Sequence, residues 1–271
     1  MRRRDDRERI DQVLPNPGDP RIYEAYIKSA MGYVTLAEQR NGPVPRPVDF
    51  SYIWGEVLDE LDRMSPDARI INPETTVTKS EDYEDKGINY RMNPENIPCI
   101  TAARIDCCNL ANNHVLDWGY PGLIETMETL RKAGLKSSGA GRDLQEAESP
   151  AVIETTGKGR VLVFSFGSET SGIPLCWAAT ENRRGVDLLR DLTVKTVLSV
   201  KEQVEKIKKS GDVVVASIHW GGNWGYDVPE EQREFAHNLI DKADVDVIHG
   251  HSSHLGSILG LFHGFIDLTI M

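Results

Sequence analysis

Short apolar runs that alternate with amphipathic segments of helical period constrain this fold more than any other feature. Val197, Val200 and Val204 mark one face of a long helix, and another helix begins at Pro121. Four apolar runs lie around these helices and predict buried strands at 105–110, 161–166, 212–218 and 245–248. Strands that alternate with helices are typical of a layered α/β fold with mainly parallel pairing.

The amino-terminal part predicts two helices and one more strand. Apolar residues recur at helical spacing from Tyr23 to Ala37, and a shorter helix is expected from about Trp54 to Met64. A strand at 68–71 should end at Asn72-Pro73, because proline cannot donate a hydrogen bond into a sheet. This strand end would place Asn72 and Glu74 just beyond the sheet.

Length and charge narrow the class of protein. A chain of 271 residues can bury one sizeable core, so we expect one domain at 10–271 after a charged, disordered tip at 1–9. The net charge of -11 makes nucleic acid a poor partner, because binding to phosphates depends on positive charge. The chain shows neither a membrane segment nor a secretory signal, so as written it is expected to be cytoplasmic. The four cysteines lack metal-binding spacing and are interpreted as reduced core residues.

Polar side chains with metal-ligand chemistry follow four of the predicted strands. They are Asn72 and Glu74, then Asn112, Asn113 and His114, then His219, and last His249, His251 and His254. In an open α/β sheet the carboxyl ends of the strands lie along one edge, where ligands bind. Imidazole, carboxylate and amide groups together suit Mn, Fe or Zn better than Ca or Mg. The sequence therefore predicts a site for a divalent metal at this edge.

The histidines have structural alternatives. Two imidazoles on one loop, His251 and His254, favour a ligand pair over a histidine-rich surface loop, whereas His249 and His263 are more typical of structural residues. His219 alone is as typical of a core histidine as of a ligand. The glycines that follow its strand would let a ligand approach the backbone.

The Asn112-Asn113-His114 segment also allows two interpretations. Asparagines tolerate turn conformations, and His114 could pack beneath Trp118. In the functional interpretation one asparagine oxygen binds metal, His114 protonates a leaving oxygen, and Asp117 orients the imidazole. Glu74 could likewise be a turn residue, and only the other clusters make it a ligand candidate.

Three motifs in chain order resemble the CapA family, which is named for poly-γ-glutamate capsule synthesis. They are Ala111-Asn-Asn-His-Val-Leu-Asp-Trp-Gly119, Ser217-Ile-His-Trp-Gly221 and Gly250-His-Ser-Ser-His254. Residues 71–75 and 138–150 match further family stretches, and the similarity runs from about 10 to 254. The family domain is similar to calcineurin-type metallophosphoesterases, so the resemblance implies a layered sandwich of that kind.

The resemblance also implies a set of site residues and a reaction. One or two metal ions would be surrounded by Glu74 or Asn72, Asn113, His219, His251 and His254. His114 would be the general acid, and in this superfamily the metals activate a hydroxide that attacks phosphorus. The implied function is a phosphoesterase-like activity in capsule or poly-γ-glutamate synthesis, on a small-molecule or polymer substrate and within a biosynthetic complex. The alternatives are a general metallophosphoesterase with a small phosphorylated substrate and a noncatalytic scaffold subunit.

The chain departs from the family pattern at both ends. Family members open with a strand that ends in a metal-binding Gly-Asp, and here 9–12 resembles only the segment after that strand. The pattern is also lost after about His254. We therefore expect a fold that is incomplete at both ends, with weak or absent metal binding. The missing start could also have carried an N-terminal anchor or signal.

Overall fold

The computed structural model describes residues 10–224, 227–252 and 269–270, so the predicted tip at 1–9 lies outside the described residues. Its α-helices are α1 (Ala30–Asn41), α2 (Val57–Met64), α3 (Pro98–Thr101), α4 (Gly119–Lys132), α5 (Leu144–Glu148), α6 (Val194–Glu205) and α7 (Glu230–Ala243). Its strands are β1 (Ile70–Pro73), β2 (Thr76–Val77), β3 (Arg91–Met92), β4 (Cys107–Asn109), β5 (Lys136–Ser138), β6 (Ala140–Gly141), β7 (Ala151–Thr155), β8 (Gly159–Ser168), β9 (Gly185–Val186), β10 (Leu188–Leu189), β11 (Val213–His219), β12 (Val247–His251) and β13 (Thr269–Ile270).

Two larger sheets carry the fold. The first has the order β13-β1-β4-β5, and all of its pairs are parallel. The second has the order β10-β8-β11-β12, also parallel, with β7 joined to the first half of β8 as an antiparallel hairpin. The prediction of a mainly parallel α/β fold is confirmed.

Successive side chains of a strand point to opposite faces of its sheet, so each sheet packs against helices on one face and against the other sheet on the opposite face. One face of the second sheet packs against α6 and α7 through Leu162, Phe164, Phe166, Val214, Ala216, Ile218, Val197, Val200, Val204, Phe235 and Leu239. One face of the first sheet packs against α2, α3 and α4 through Ile71, Cys108, Leu110, Leu61, Ile100, Leu123 and Leu130. The opposite faces of the two sheets meet in a third apolar cluster that includes Cys107, Ile153, Val163 and Val215. The molecule is therefore a helix–sheet–sheet–helix sandwich, which confirms the predicted layered sandwich and adds that it contains two sheets.

The helix boundaries near the amino terminus differ from the prediction. Helix α1 begins at Ala30 instead of near Tyr23, because the Ser29 side chain accepts a hydrogen bond from the Met31 N–H and caps the helix there. Helix α2 begins at Val57, and the turn before it lets the Trp54 indole N–H donate to the Cys99 carbonyl at 2.6 Å. A local capping hydrogen bond therefore sets the start of α1, and a tertiary hydrogen bond accompanies the start of α2.

Two strands extend further than predicted, and this changes where candidate residues lie. Asn72 is inside β1, where it pairs with Thr269 of β13. His251 is the last residue of β12 and pairs with His219 of β11, so it does not lie in a loop. Parallel pairing with a neighbour sets both strand ends, and local sequence carries no record of it.

The cysteines are free, and they do not all lie in the core. Cys99, Cys107 and Cys108 are buried as expected, but Cys176 is exposed, which corrects the interpretation of all four as core residues. A short turn at Leu175–Trp177 holds Cys176 at the surface. Among the described residues, no helix is long and apolar enough to cross a membrane.

Candidate metal centre

The layer between the two sheets changes from apolar to polar toward the carboxyl ends of the strands. Val215 pairs with Val247, but two residues later Ser217 pairs with His249, and two residues later again His219 pairs with His251. All of these side chains share the face that points between the sheets, because side chains alternate along a strand. Strand register therefore brings several polar side chains together at one end of the layer.

Hydrogen bonds between the sheets satisfy this polar end. The Ser138 and Ser165 hydroxyls lie 2.6 Å apart, and Asn109 Nδ2 donates to Ser217 Oγ at 3.1 Å. Gly139 follows Ser138 with a φ of +87°, and a Cβ there would lie 2.7 Å from Ser165 Cβ. A glycine at this position allows the sheets to approach closely enough for the pair to form.

The hydrogen-bond network assigns the protons of two buried histidines. Asn109 Oδ1 accepts from the Ala111 N–H at 2.7 Å, so Asn109 Nδ2 is the atom 2.6 Å from His251 Nε2 and donates to it. His251 then carries its proton on Nδ1, which lies 2.8 Å from His219 Nδ1 and donates to it. His219 must therefore carry its proton on Nε2.

Burial keeps His251 neutral. The side chain is 3% exposed, and burial holds its pKa well below the usual value, with His219 and His249 nearby adding to the effect. A neutral imidazole is the form that takes part in metal binding, and it also suits the hydrogen bonds that run to His219.

His219 Nε2 faces two oxygen atoms from the other sheet. Asn113 Oδ1 lies 3.1 Å from it and Glu74 Oε1 3.7 Å from it, while Asn72 Nδ2 lies 3.3 Å from His219 Nδ1. Glu74 is 3% exposed and His219 is fully buried. A carboxylate, an amide and an imidazole from three segments of the chain thus converge on one place.

The two distances from His219 Nε2 are compatible with a single divalent ion that replaces the Nε2 proton. Ligand atoms at about 2.0–2.2 Å from an ion lie about 3.0–3.6 Å from each other, close to the 3.1 and 3.7 Å observed here. The donor set suits a borderline metal. Within the described ranges, no group of three or more histidine, cysteine, aspartate or glutamate side chains is placed to hold a metal. The set therefore depends on the neutral amide oxygen of Asn113.

The two adjacent asparagines have different contacts. Asn112 Nδ2 donates to Asn72 Oδ1 at 3.0 Å, and Asn112 Oδ1 accepts from the His114 N–H at 3.0 Å, so its side chain shapes the loop. Asn113 is the residue whose amide oxygen faces His219. The residue pattern alone left open which asparagine oxygen would bind a metal, and the family resemblance implied Asn113. The geometry also favours Asn113.

His114 and Asp117 form a buried hydrogen-bonded pair that begins one residue after Asn113. His114 Nδ1 lies 2.7 Å from Asp117 Oδ2, which also accepts from the Tyr90 N–H at 2.6 Å. Asp117 is fully buried, and the Tyr90 ring stacks on the imidazole with the ring centroids 4.1 Å apart. Tyr90 therefore takes the place predicted for Trp118. The contact to Asp117 holds the Nδ1 proton, so Nε2 is the nitrogen that can exchange a proton with a ligand.

Comparison with known proteins gives this arrangement a family. The family of bacterial capsule synthesis proteins called PGA_cap matches residues 8–258. The chain belongs to this family. The resemblance stated from its motifs is therefore confirmed.

Three curated relatives of this PGA_cap member carry related names. A probable polyglutamine synthesis accessory protein of Mycobacterium tuberculosis is 45% identical over 257 residues, which cover 94% of this chain and 67% of that one. The PGA biosynthesis protein CapA of Bacillus subtilis is 28% identical over 72% of this chain and 49% of its own. The capsule biosynthesis protein CapA of Bacillus anthracis is 26% identical over 65% of this chain and 41% of its own.

Asn109 and Ser217 contribute to the site in this PGA_cap member but were not among the predicted site residues, and His249 was interpreted as structural. Asn109, Ser217 and His249 all point between the sheets, and Ser217 Oγ lies 2.8 Å from His249 Nδ1. Period-two alternation could have found them, because Asn109 is two residues after buried Cys107, and Ser217 and His249 precede the two site histidines by two residues. The predicted ligand His254 lies outside the described residues.

Proposed function

We propose that this PGA_cap member is a metal-dependent phosphoesterase-like enzyme that serves the synthesis of a polyglutamate or capsule polymer. The observation that supports the proposal is the convergence of Glu74 Oε1 and Asn113 Oδ1 on His219 Nε2, within 3.7 Å, beside the His114–Asp117 pair. Metal ligands and a buried acid–base pair in one place are the parts that phosphoester hydrolysis requires.

Each side chain has a distinct role in the proposal. Glu74, Asn113 and His219 would hold the ion, which would polarise a phosphoryl oxygen of the substrate. In the metal-free network His219 Nε2 carries the proton. Binding of the ion at Nε2 would therefore require this proton to move to Nδ1 and the 2.8 Å contact with His251 Nδ1 to reverse its direction. The family resemblance alone implies that His251 and His254 would also bind metal, including a second ion.

The proton chemistry is assigned to His114. Its Nε2 would donate a proton to the leaving oxygen, while Asp117 keeps the Nδ1 proton and stabilises the ring when it is charged. The Lys86 ammonium lies 2.7 Å from Asp117 Oδ1 and contacts the carboxylate on the side opposite to His114 in this hydrogen-bonded chain. Stacking on Tyr90 fixes the plane of the imidazole.

The relatives' names support the placement in polymer synthesis. The Mycobacterium tuberculosis relative is named as an accessory protein and the Bacillus relatives as biosynthesis proteins. We therefore place this chain in a biosynthetic complex, acting on a polymer or on a small phosphorylated precursor. A general phosphoesterase would instead turn over model phosphodiesters without any link to a polymer.

A second candidate is a noncatalytic accessory subunit with the same fold. It is favoured by the amide-rich composition of the centre, where Asn72, Asn109, Asn112 and Asn113 bring neutral groups to the place of charged ligands. Both nitrogens of His251 already have hydrogen-bond contacts within the protein. Such a network can stabilise the carboxyl ends of the strands without chemistry.

Metal analysis of the purified chain separates the two candidates. The wild type, His219→Ala and the surface control Lys158→Met would be dialysed against Mn, Fe and Zn, then analysed by elemental mass spectrometry and assayed with a model phosphodiester. Lys158 forms an exposed ion pair with Asp67, and neither residue contributes to the centre. The enzyme predicts metal and turnover in the wild type and control, both lost in His219→Ala. If the wild type shows no metal and no turnover, the noncatalytic subunit is favoured.

A further inference from the structure

The Lys86 ammonium contacts both the His114–Asp117 pair and the loop that carries Asn113. Lys86 Nζ donates to Asp117 Oδ1 at 2.7 Å and to the backbone carbonyl of Asn113. It also lies 5.3 Å from the centroid of the Trp177 ring. The Lys86 side chain is 24% exposed, while the Asp117 side chain that it contacts is fully buried.

These contacts leave the ammonium little capacity for a substrate. An ammonium has three N–H donors. Here Asp117 Oδ1 and the Asn113 carbonyl take two of them, and the face of Trp177 lies where a cation is attracted to an aromatic ring. A lysine that recognised a substrate anion would instead direct its donors into open space. The arrangement is that of a side chain that holds other protein groups in place.

We propose that Lys86 is a positioning residue that joins the His114–Asp117 pair to the Asn113 ligand loop. The inference rests on the proposed function, because it assigns Lys86 a role in that same centre. By holding Asp117, Lys86 fixes the carboxylate oxygen that orients His114 Nδ1. By holding the Asn113 carbonyl, it fixes the backbone from which the Asn113 amide reaches His219.

The chain segment around Lys86 supports this role. The Glu84 N–H and Asn89 Nδ2 both donate to the Asp117 carbonyl, at 2.9 and 3.1 Å, and the Tyr90 N–H donates to the Asp117 side chain. Residues 84–90 therefore close over Asp117 through backbone and side-chain contacts together. Within this segment Lys86 is the residue whose side chain also reaches Asn113.

The test uses the full chain with Cys176→Ser as the background, since the other three cysteines are buried. Lys86→Met removes the charge at similar length, and Lys86→Gln keeps two donors without charge. Lys86→Cys can be alkylated with 2-bromoethylamine, which rebuilds an ammonium on a side chain of nearly the same length. Lys79→Met is the matched control, because Lys79 lies seven residues earlier and forms an exposed ion pair with Glu95.

Two readouts report on the two sides of the contact. Metal affinity, measured by titration with Mn²⁺, reports on the Asn113 side, and the imidazole N–H signals of ¹⁵N-histidine-labelled, metal-free protein report on His114. The His114→Ala variant assigns the His114 signal. We expect Lys86→Met to weaken Mn²⁺ binding about tenfold or more and to shift or broaden the His114 Nδ1–H signal. Lys86→Gln should give smaller changes, and alkylated Lys86→Cys should restore both readouts.

Failure of this inference can be told apart from failure of the proposed function. A folded Lys86→Met or Lys86→Gln protein with wild-type Mn²⁺ affinity and an unchanged His114 signal would overturn the role of Lys86. Recovery by alkylation is the decisive positive result, since a merely structural defect would not respond to the restored charge. If the wild type binds no Mn²⁺ while the His114 signal still depends on the ammonium, the metal proposal fails and the positioning of His114 by Lys86 stands.

Discussion

In the amino-terminal halves of β8 and β11, the neighbouring side chains of Val163 and Val215 point into the layer between the sheets, whereas two residues later Ser165 and Ser217 occupy the same face of the same strands. The backbone pairing is identical in the two halves, and they are separated by only about 7 Å along each strand. Register supplies the position in both halves, and the side chains decide what the position does.

The two halves contribute differently to stability. The apolar half removes hydrocarbon from water and contributes about 1.5–3 kcal/mol for a fully buried valine-sized side chain. The polar half is tolerated because its groups hydrogen bond to each other, as Ser138 does to Ser165 and Asn109 to Ser217. A site can therefore be built inside a core when the polar groups come as partners.

The sharpest way to break the contrast is to place a charge in the apolar half. Val163→Asp would bury a carboxylate in the apolar cluster beside Cys107 and Val215. We expect the free energy of unfolding to fall by about 3–5 kcal/mol, or no folded protein. The control is Val213→Asp at the start of β11, where the valine is 41% exposed and the cost should stay below about 1 kcal/mol. Urea unfolding followed by circular dichroism measures both. Equal losses in the two variants would contradict the assignment of a dry interior to this half.

A double-mutant cycle sharpens the contrast in the polar half. Ser138→Ala or Ser165→Ala alone leaves a buried hydroxyl without its 2.6 Å contact and should cost about 1–3 kcal/mol. The double variant should cost clearly less than the sum of the two, because both partners are then apolar. Strictly additive losses in urea unfolding would mean that the two hydroxyls act independently.

Lowering the pH should reduce the free energy of unfolding through different groups at the carboxyl and amino ends of the strands, and by less than the substitutions above. His251 has a lowered pKa in the fold, so the folded state binds fewer protons than the unfolded chain below about pH 6.5. The free energy of unfolding of metal-free protein should thus fall as the pH drops below 6.5, by at most about 1.4 kcal/mol per pH unit for this group. His251→Asn should flatten that part of the curve. An unchanged curve would show that another group governs the acid loss.

An ion pair near the starts of strands β8 and β11 should lose its stabilisation only at a lower pH. Asp212 meets Arg160 there, and the guanidinium holds the Asp212 pKa at about 2, against an ordinary 3.8. A lowered carboxyl pKa means that the stabilisation is present above pH 3.8 and is lost as the pH falls toward about 2. The two ends of the same strands therefore weaken in separate pH ranges.

The elements that local pattern predicted well are those whose periodicity the fold leaves intact. The prediction of a helix over 229–242 and of a strand over 212–218 matches α7 and β11 to within one residue at each end. Period also indicated that polar residues follow parallel strands at one edge. The start of α1 was wrong because Ser29 caps the helix, an effect of one hydrogen bond that period does not contain.

The sequence by itself determined the layered parallel fold, the family and most of the residues that meet at the carboxyl ends of the strands, because these depend on local period and on motifs that are contiguous in the chain. The family resemblance already implied Asn113 as a ligand, but only the tertiary structure showed that its amide oxygen faces His219, and that His251 lies in a strand behind His219. It alone brought Lys86 to Asp117, 31 residues away. Such contacts depend on sheet register and on loop packing, which are set by long-range pairing and leave no periodic trace in the chain.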